Sequence, residues 1–115
     1  MLIAKQGYKW VAPSIVVQAG TGMIPENNQN DIDEKIWIGF TVTKTVGNAV
    51  IRNRIRRRLK ATITQIAFHK YPLIKEVVII GRFNALLAPF KDIVRDLEWS
   101  LKKLNNVFFF TSERN

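Results

Sequence analysis

Within nine residues the chain carries six cations, Arg52, Arg54, Arg56, Arg57, Arg58 and Lys60, with Asn53 among them. Arginine's planar fork holds phosphate oxygens two at a time and stacks on nucleobases, so cations at this spacing on one element would bind a polyanion. The surrounding sequence sharpens that reading. Residues 35–75 hold ten basic residues and no acid, whereas the rest of the chain holds eight basic and nine acidic ones, so the whole net charge of +9 lies in one window. A general need for solubility does not explain such placement.

Other chemistries are poorly supplied. There is no cysteine, which excludes disulfides and thiolate zinc sites, and the lone histidine, His69, cannot build a histidine-rich metal site. Asp92, Asp96 and Glu98 fall on an amphipathic pattern and read as solvated helix surface rather than a catalytic pair. Gly20 and Gly22 lack the strand-to-helix setting of a dinucleotide site, and no Gly-Lys-Ser/Thr phosphate loop occurs. We therefore expect no catalytic residue, no metal site, no protein-bound cofactor and no small-molecule substrate. The longest apolar runs, residues 77–80 and 107–110, are too short to span a bilayer, and residues 1–6 lack a signal-peptide core, which makes the cytoplasm the expected location and a membrane partner unexpected. At 115 residues one domain with one core is expected.

The elements that must carry the cations can be read from periodicity. Asn48 suits a helix N-cap, and Ile51, Ile55, Leu59, Ile63 and Ile66 recur at helical spacing, so a helix is expected from there to about His69, ending before Pro72. Its stripe faces the core and the arginines occupy the rest of the circumference, with no acid at i±4 to offset their repulsion. Just before it, residues 36–43 alternate: Ile36, Ile38, Phe40 and Val42 share one face, and Trp37, Gly39, Thr41 and Thr43 share the other, polar or small enough to accept a ligand. Residues 14–19 read as a first strand, 20–35 as a mobile polar loop, and 77–80 as a strand covered on both sides. A second, structural helix is expected from Pro89, with Phe90, Ile93, Val94, Leu97, Leu101 and Leu104 on one face. The run 107–110 fits either an edge strand or core packing.

A basic helix can enter the DNA major groove, but this one spreads arginine over a wide arc and has few short polar residues for reading base edges. A broad basic surface beside an open sheet face suits folded RNA with a single-stranded segment better. RNA is therefore the expected partner in preference to DNA.

The stretch Lys44-Thr45-Val46-Gly47-Asn48-Ala49-Val50-Ile51-Arg52-Asn53-Arg54-Ile55-Arg56-Arg57-Arg58-Leu59-Lys60 closely resembles the signature of the bacterial ribonuclease P protein component, an arginine-asparagine pair followed by alternating basic and aliphatic residues. Ile38-Gly39-Phe40-Thr41-Val42-Thr43-Lys44 looks like that family's preceding strand, Val78-Ile79-Ile80-Gly81-Arg82 like its following one, and the likeness runs from about Tyr8 to Leu104. The resemblance implies an α/β (α+β) two-layer sandwich, a small mixed sheet with helices, ribosomal-protein-like, with a left-handed β-α-β crossover. It implies a subunit whose partners are the ribonuclease P catalytic RNA and precursor tRNA, and which assists endonucleolytic removal of the 5′ leader, the hydrolysis being performed by the RNA with Mg2+. By position, Arg52, Asn53, Arg54, Arg56, Arg57 and Lys60, with Lys44 nearby, would contact RNA. Val16, Gln18, Thr41 and Thr43, joined by Trp37 on the same face, would line the leader cleft. The family's basic N-terminal helix is expected to be missing here, and Gln18 stands where an aromatic is common. Tyr8 and Trp10 would then either supply stacking surface or pack on the core, and packing is the expectation for Trp10 and Trp99.

Overall fold

The computed structural model describes residues 7–21 and 36–114, with side chains through Phe110. The expected loop over 20–35 lies outside them from residue 22 on, as does any N-terminal element at residues 1–6. Four strands form one mixed sheet: β1 (Tyr8–Val11), β2 (Ile15–Gly20), β3 (Trp37–Thr41) and β4 (Glu76–Gly81), in the order β1-β2-β4-β3. β1 pairs antiparallel with β2, and β2 with β4, whereas β3 and β4 run parallel. Helix α1 (Ala49–Thr62) makes the crossover between the parallel pair, and α2 (Phe90–Arg114) closes the chain.

Strand alternation sends Ile15, Val17, Ala19, Val77 and Ile79 to one face, where they meet Ile55 and Leu59 of α1 and Ile93, Leu97, Leu101 and Leu104 of α2. Both helices thus pack on a single face. Gly81 marks the closest approach of α1, since a Cβ there would lie 2.6 Å from Ile55 Cγ2 and 3.2 Å from Leu59 Cδ1. The opposite face, with Val16, Gln18, Val78 and Ile80 half-buried, carries no helix among the described residues.

Two expectations are corrected and an open one is decided. The first helix ends at Thr62 rather than near His69. Thr62, Ile63 and Thr64 are consecutive β-branched residues, and the Thr62 and Thr64 hydroxyls donate to the carbonyls of Leu59 (2.6 Å) and Ala61 (2.9 Å), tightening the chain into the 3-10 turn Ile63–Gln65. Ile66 still reaches the core from extended backbone, and His69 is exposed on a separate 3-10 turn, Phe68–Lys70. The segment before the first expected strand is itself a strand, β1. Of the two alternatives for the run 107–110, the structure takes core packing: α2 continues through it, and Phe108, four residues beyond Leu104, extends the buried stripe and packs on Tyr8 with ring centroids 5.4 Å apart.

Asp96 is the third departure, because it is buried rather than solvated. Its Oδ2 accepts hydrogen bonds from the Ser14 backbone N–H (3.0 Å) and hydroxyl (2.7 Å), which ties α2 to the start of β2. Both groups line an open pocket of about 350 Å³ beside Phe83, Leu87 and the first turns of α2.

Candidate RNA interface

The basic cluster begins where β3 ends. Thr43 leads into the 3-10 turn Lys44–Val46, and the Asn48 side chain then caps α1 by accepting from the Ile51 N–H at 3.0 Å. Only Ile55, Leu59 and Thr62 of α1 are buried, so most of its circumference is available for cations.

Those cations fall into two kinds. Arg52, Arg56 and Lys60, four residues apart, line one flank, with Asn53 and Arg57 beside them. Arg52 Nε donates to the Gly47 carbonyl at 3.2 Å, and Arg56 Nη1 to Asn53 Oδ1 at 2.8 Å, contacts that orient both guanidinium groups and leave donors free. Lys44, Arg54, Arg57 and Lys60 are exposed and have no hydrogen bond or ion pair among the described residues. Asn53 therefore acts first on Arg56.

Arg58 is different. It lies on the opposite edge of the stripe, where Nη1 donates to the carbonyls of Ala85 (2.7 Å) and Leu86 (3.0 Å) and Nη2 to that of Ala88 (2.6 Å). These are carbonyls at the end of the 3-10 turn Phe83–Leu86 and just beyond it, so this arginine clasps α1 to the connection between β4 and α2. Its neighbours in sequence are ligand-ready, whereas its own donors are occupied.

The residues expected to line the leader cleft come together on the open sheet face. Register places Val16, Ile80 and Thr41 in one row, Gln18, Val78 and Gly39 in the next, and Gly20, Glu76 and Trp37 in the third. Neighbours within a row are about 4.8 Å apart, and successive rows follow at about 6.6 Å along the strands. Trp37 is 61% exposed on this face. Thr43 lies beyond the last paired row, its hydroxyl 2.9 Å from that of Thr45. Tyr8 and Trp10 do not belong here: they point to the helix side, and Trp10 meets Trp99 edge-on at 5.4 Å. Lys9, which sequence reading left out, does belong, as the partner of Gln18. The alternation of Tyr8, Lys9, Trp10 and Val11 was its signal, too short to stand out.

The described acids do not converge. No group of three or more Asp, Glu, His or Cys side chains suited to a metal ion occurs among the described residues, and Asp92 and Asp96 pair with Arg95 at 3.4 and 3.7 Å. No described helix is long and apolar enough to cross a membrane.

Comparison with known proteins agrees with this geometry. Residues 2–105 match the family model described as Ribonuclease P. The chain is 35% identical over 96 residues to the ribonuclease P protein component of Paramagnetospirillum magneticum, covering 84% of this chain and 69% of the relative. It is 38% identical over 102 residues to that of Gluconacetobacter diazotrophicus, covering 88% and 80%. Among solved structures, the Staphylococcus aureus RNase P protein superposes with a TM-score of 0.61 at 28% identity, covering 87% of this chain and 83% of that one. The Thermotoga maritima RNase P protein gives 0.63 at 19% identity over 91% and 87%, a likeness of fold.

Proposed function

This chain belongs to the bacterial ribonuclease P protein family, the protein component of an endoribonuclease that processes tRNA, and from that membership we propose how its two surfaces divide the work. The exposed flank of α1 binds the catalytic RNA of ribonuclease P through Arg52, Arg54, Arg56, Arg57 and Lys60, with Asn53 holding Arg56 and Lys44 at the junction. The open sheet face takes the single-stranded 5′ leader of precursor tRNA across Val16, Gln18, Trp37 and Thr41, with Thr43 at its end. What carries the reading is the continuity of the two: β3 runs through Thr43 and Lys44 directly into the basic helix, whose exposed cations have no anionic partner among the described residues.

In this reading the protein supplies no catalytic group. RNA packed against RNA is opposed by phosphate repulsion, and fixed guanidinium and ammonium groups relieve it in place of condensed counterions. Bond cleavage and the Mg2+ that supports it belong to the RNA. The protein orients substrate, and the cytoplasm, where tRNA is made, is its proposed location.

The test is cleavage of a 5′-labelled precursor tRNA by a bacterial ribonuclease P RNA with and without the protein, across magnesium concentrations. The expected result is stimulation that is largest at low magnesium. Equal cleavage at every concentration would overturn the proposal, and equal affinity for precursor and mature tRNA would favour a general RNA-binding module instead.

A further inference from the structure

Three glycines of the described sheet and motif invite the same question, namely what a side chain there would meet. At Gly81 a Cβ would stand 2.6 Å from Ile55 Cγ2, and at Gly47 it would stand 3.0 Å from Ile51 Cγ2, so packing alone accounts for both. Gly39 has no such reason. Among the described residues a Cβ there would meet only Val78 Cγ2, at an ordinary 3.9 Å, and the backbone does not adopt the left-handed conformation that favours glycine. Nor does a bulge explain it, since pairing with β4 is continuous from Trp37 to Thr41. A glycine inside a strand weakens it, and when neither bulge nor close packing is present the remaining physical reason is the close approach of a ligand.

The neighbours describe that ligand. Trp37, Gly39 and Thr41 share the open face of β3, an edge strand, and four residues of strand span about 13 Å. With no side chain in the middle, the space beside Trp37 is a notch, walled on the β4 side by Val78 and wider than the roughly 3.4 Å of a stacked base. An exposed indole on one side, a hydroxyl on the other and an apolar wall along β4 suit a flat, unpaired nucleobase. We infer that Gly39 forms a single-nucleotide subsite in which one base of the bound RNA strand lies against Trp37. This inference rests on the proposed leader-binding face and names one position on it.

The experiment uses the holoenzyme reconstituted with ribonuclease P RNA, comparing wild type with Gly39→Thr and Gly39→Ala. Threonine is favoured in strands and fits beside Val78, so the thermal midpoint should hold or rise. Affinity for precursor tRNA should fall about tenfold with threonine and less with alanine, as for loss of one stacked base, while affinity for leaderless tRNA is unchanged. A precursor with a single abasic leader nucleotide should show the same loss at one position in wild type, and no further loss in Gly39→Thr. If wild type prefers the leader but Gly39→Thr binds it equally well, or if no single abasic position matters, the subsite is refuted and the leader-binding face stands. If wild type itself has no preference for the leader, both readings fall.

Discussion

The two helices pack on the same sheet face and differ in nearly everything else. α2 buries Ile93, Leu97, Ser100, Leu101, Leu104 and Phe108, and even its carboxylate Asp96 is turned inward to hold Ser14. α1 buries Ile55, Leu59 and Thr62 and has no acid to relieve the repulsion among its cations. One helix is built for the inside and the other for the outside. The difference teaches how a charged binding helix can be kept in place: a narrow apolar stripe seats it on Gly81 and Val42, and one of its own arginines, Arg58, is diverted from the surface to clasp the backbone.

Substitutions can break that division. Leu97→Ala on α2 should cost about 2–5 kcal/mol of stability, as for a fully buried leucine, and leave the salt dependence of RNA affinity unchanged; urea unfolding and a salt titration read the two effects. Arg57→Ala on α1 should do the reverse, weakening RNA binding by about 1–3 kcal/mol and lowering the slope of log affinity against log salt by about 0.7–0.9, with stability altered by less than about 0.5 kcal/mol. An unchanged slope would place Arg57 in solvent in the complex. Arg58→Ala sharpens the contrast most, because it removes the same charge one residue along, on the opposite edge of the apolar stripe. It should lower stability by about 1–2 kcal/mol through three lost carbonyl contacts, with a smaller effect on the salt slope than Arg57→Ala.

The smallest effect is a titration. Burial, and secondarily the charge of Glu98, holds the Tyr71 phenol above its ordinary value of 10.0. Because the folded state favours the neutral phenol, this contribution to stability is present below pH 10 and is lost as pH rises through the folded value. In a Tyr8→Phe protein, where Tyr71 is the remaining tyrosine, ultraviolet titration should show ionisation above 10.0, and Glu98→Gln should move it part of the way back.

Much of the site was legible because it depends on spacing along one element. Four-residue recurrence at Ile55 and Leu59 sets which side of α1 faces inward, and strict alternation puts Trp37 and Thr41 together on β3. The helix end was not legible: the stripe persists through Ile66, but hydroxyl-to-carbonyl bonds at Thr62 and Thr64 stop the helix first. The tail 107–110 was opaque because four apolar residues in a row carry no period. Asp96 misled for another reason, since its partner Ser14 is 82 residues away.

The sequence by itself determined the charge window, the face each helix buries, the alternation of β3 and the family signature, all of which follow from local periods of 3.6 and 2 residues. Only the tertiary structure decided that β1 joins the sheet, that Lys9 shares the open face while Tyr8 and Trp10 leave it, and that Arg58 serves the fold while Arg57 stays exposed. Strand register and side-chain-to-carbonyl contacts join residues far apart in the chain, and no local pattern encodes which of two neighbouring arginines finds a carbonyl within reach.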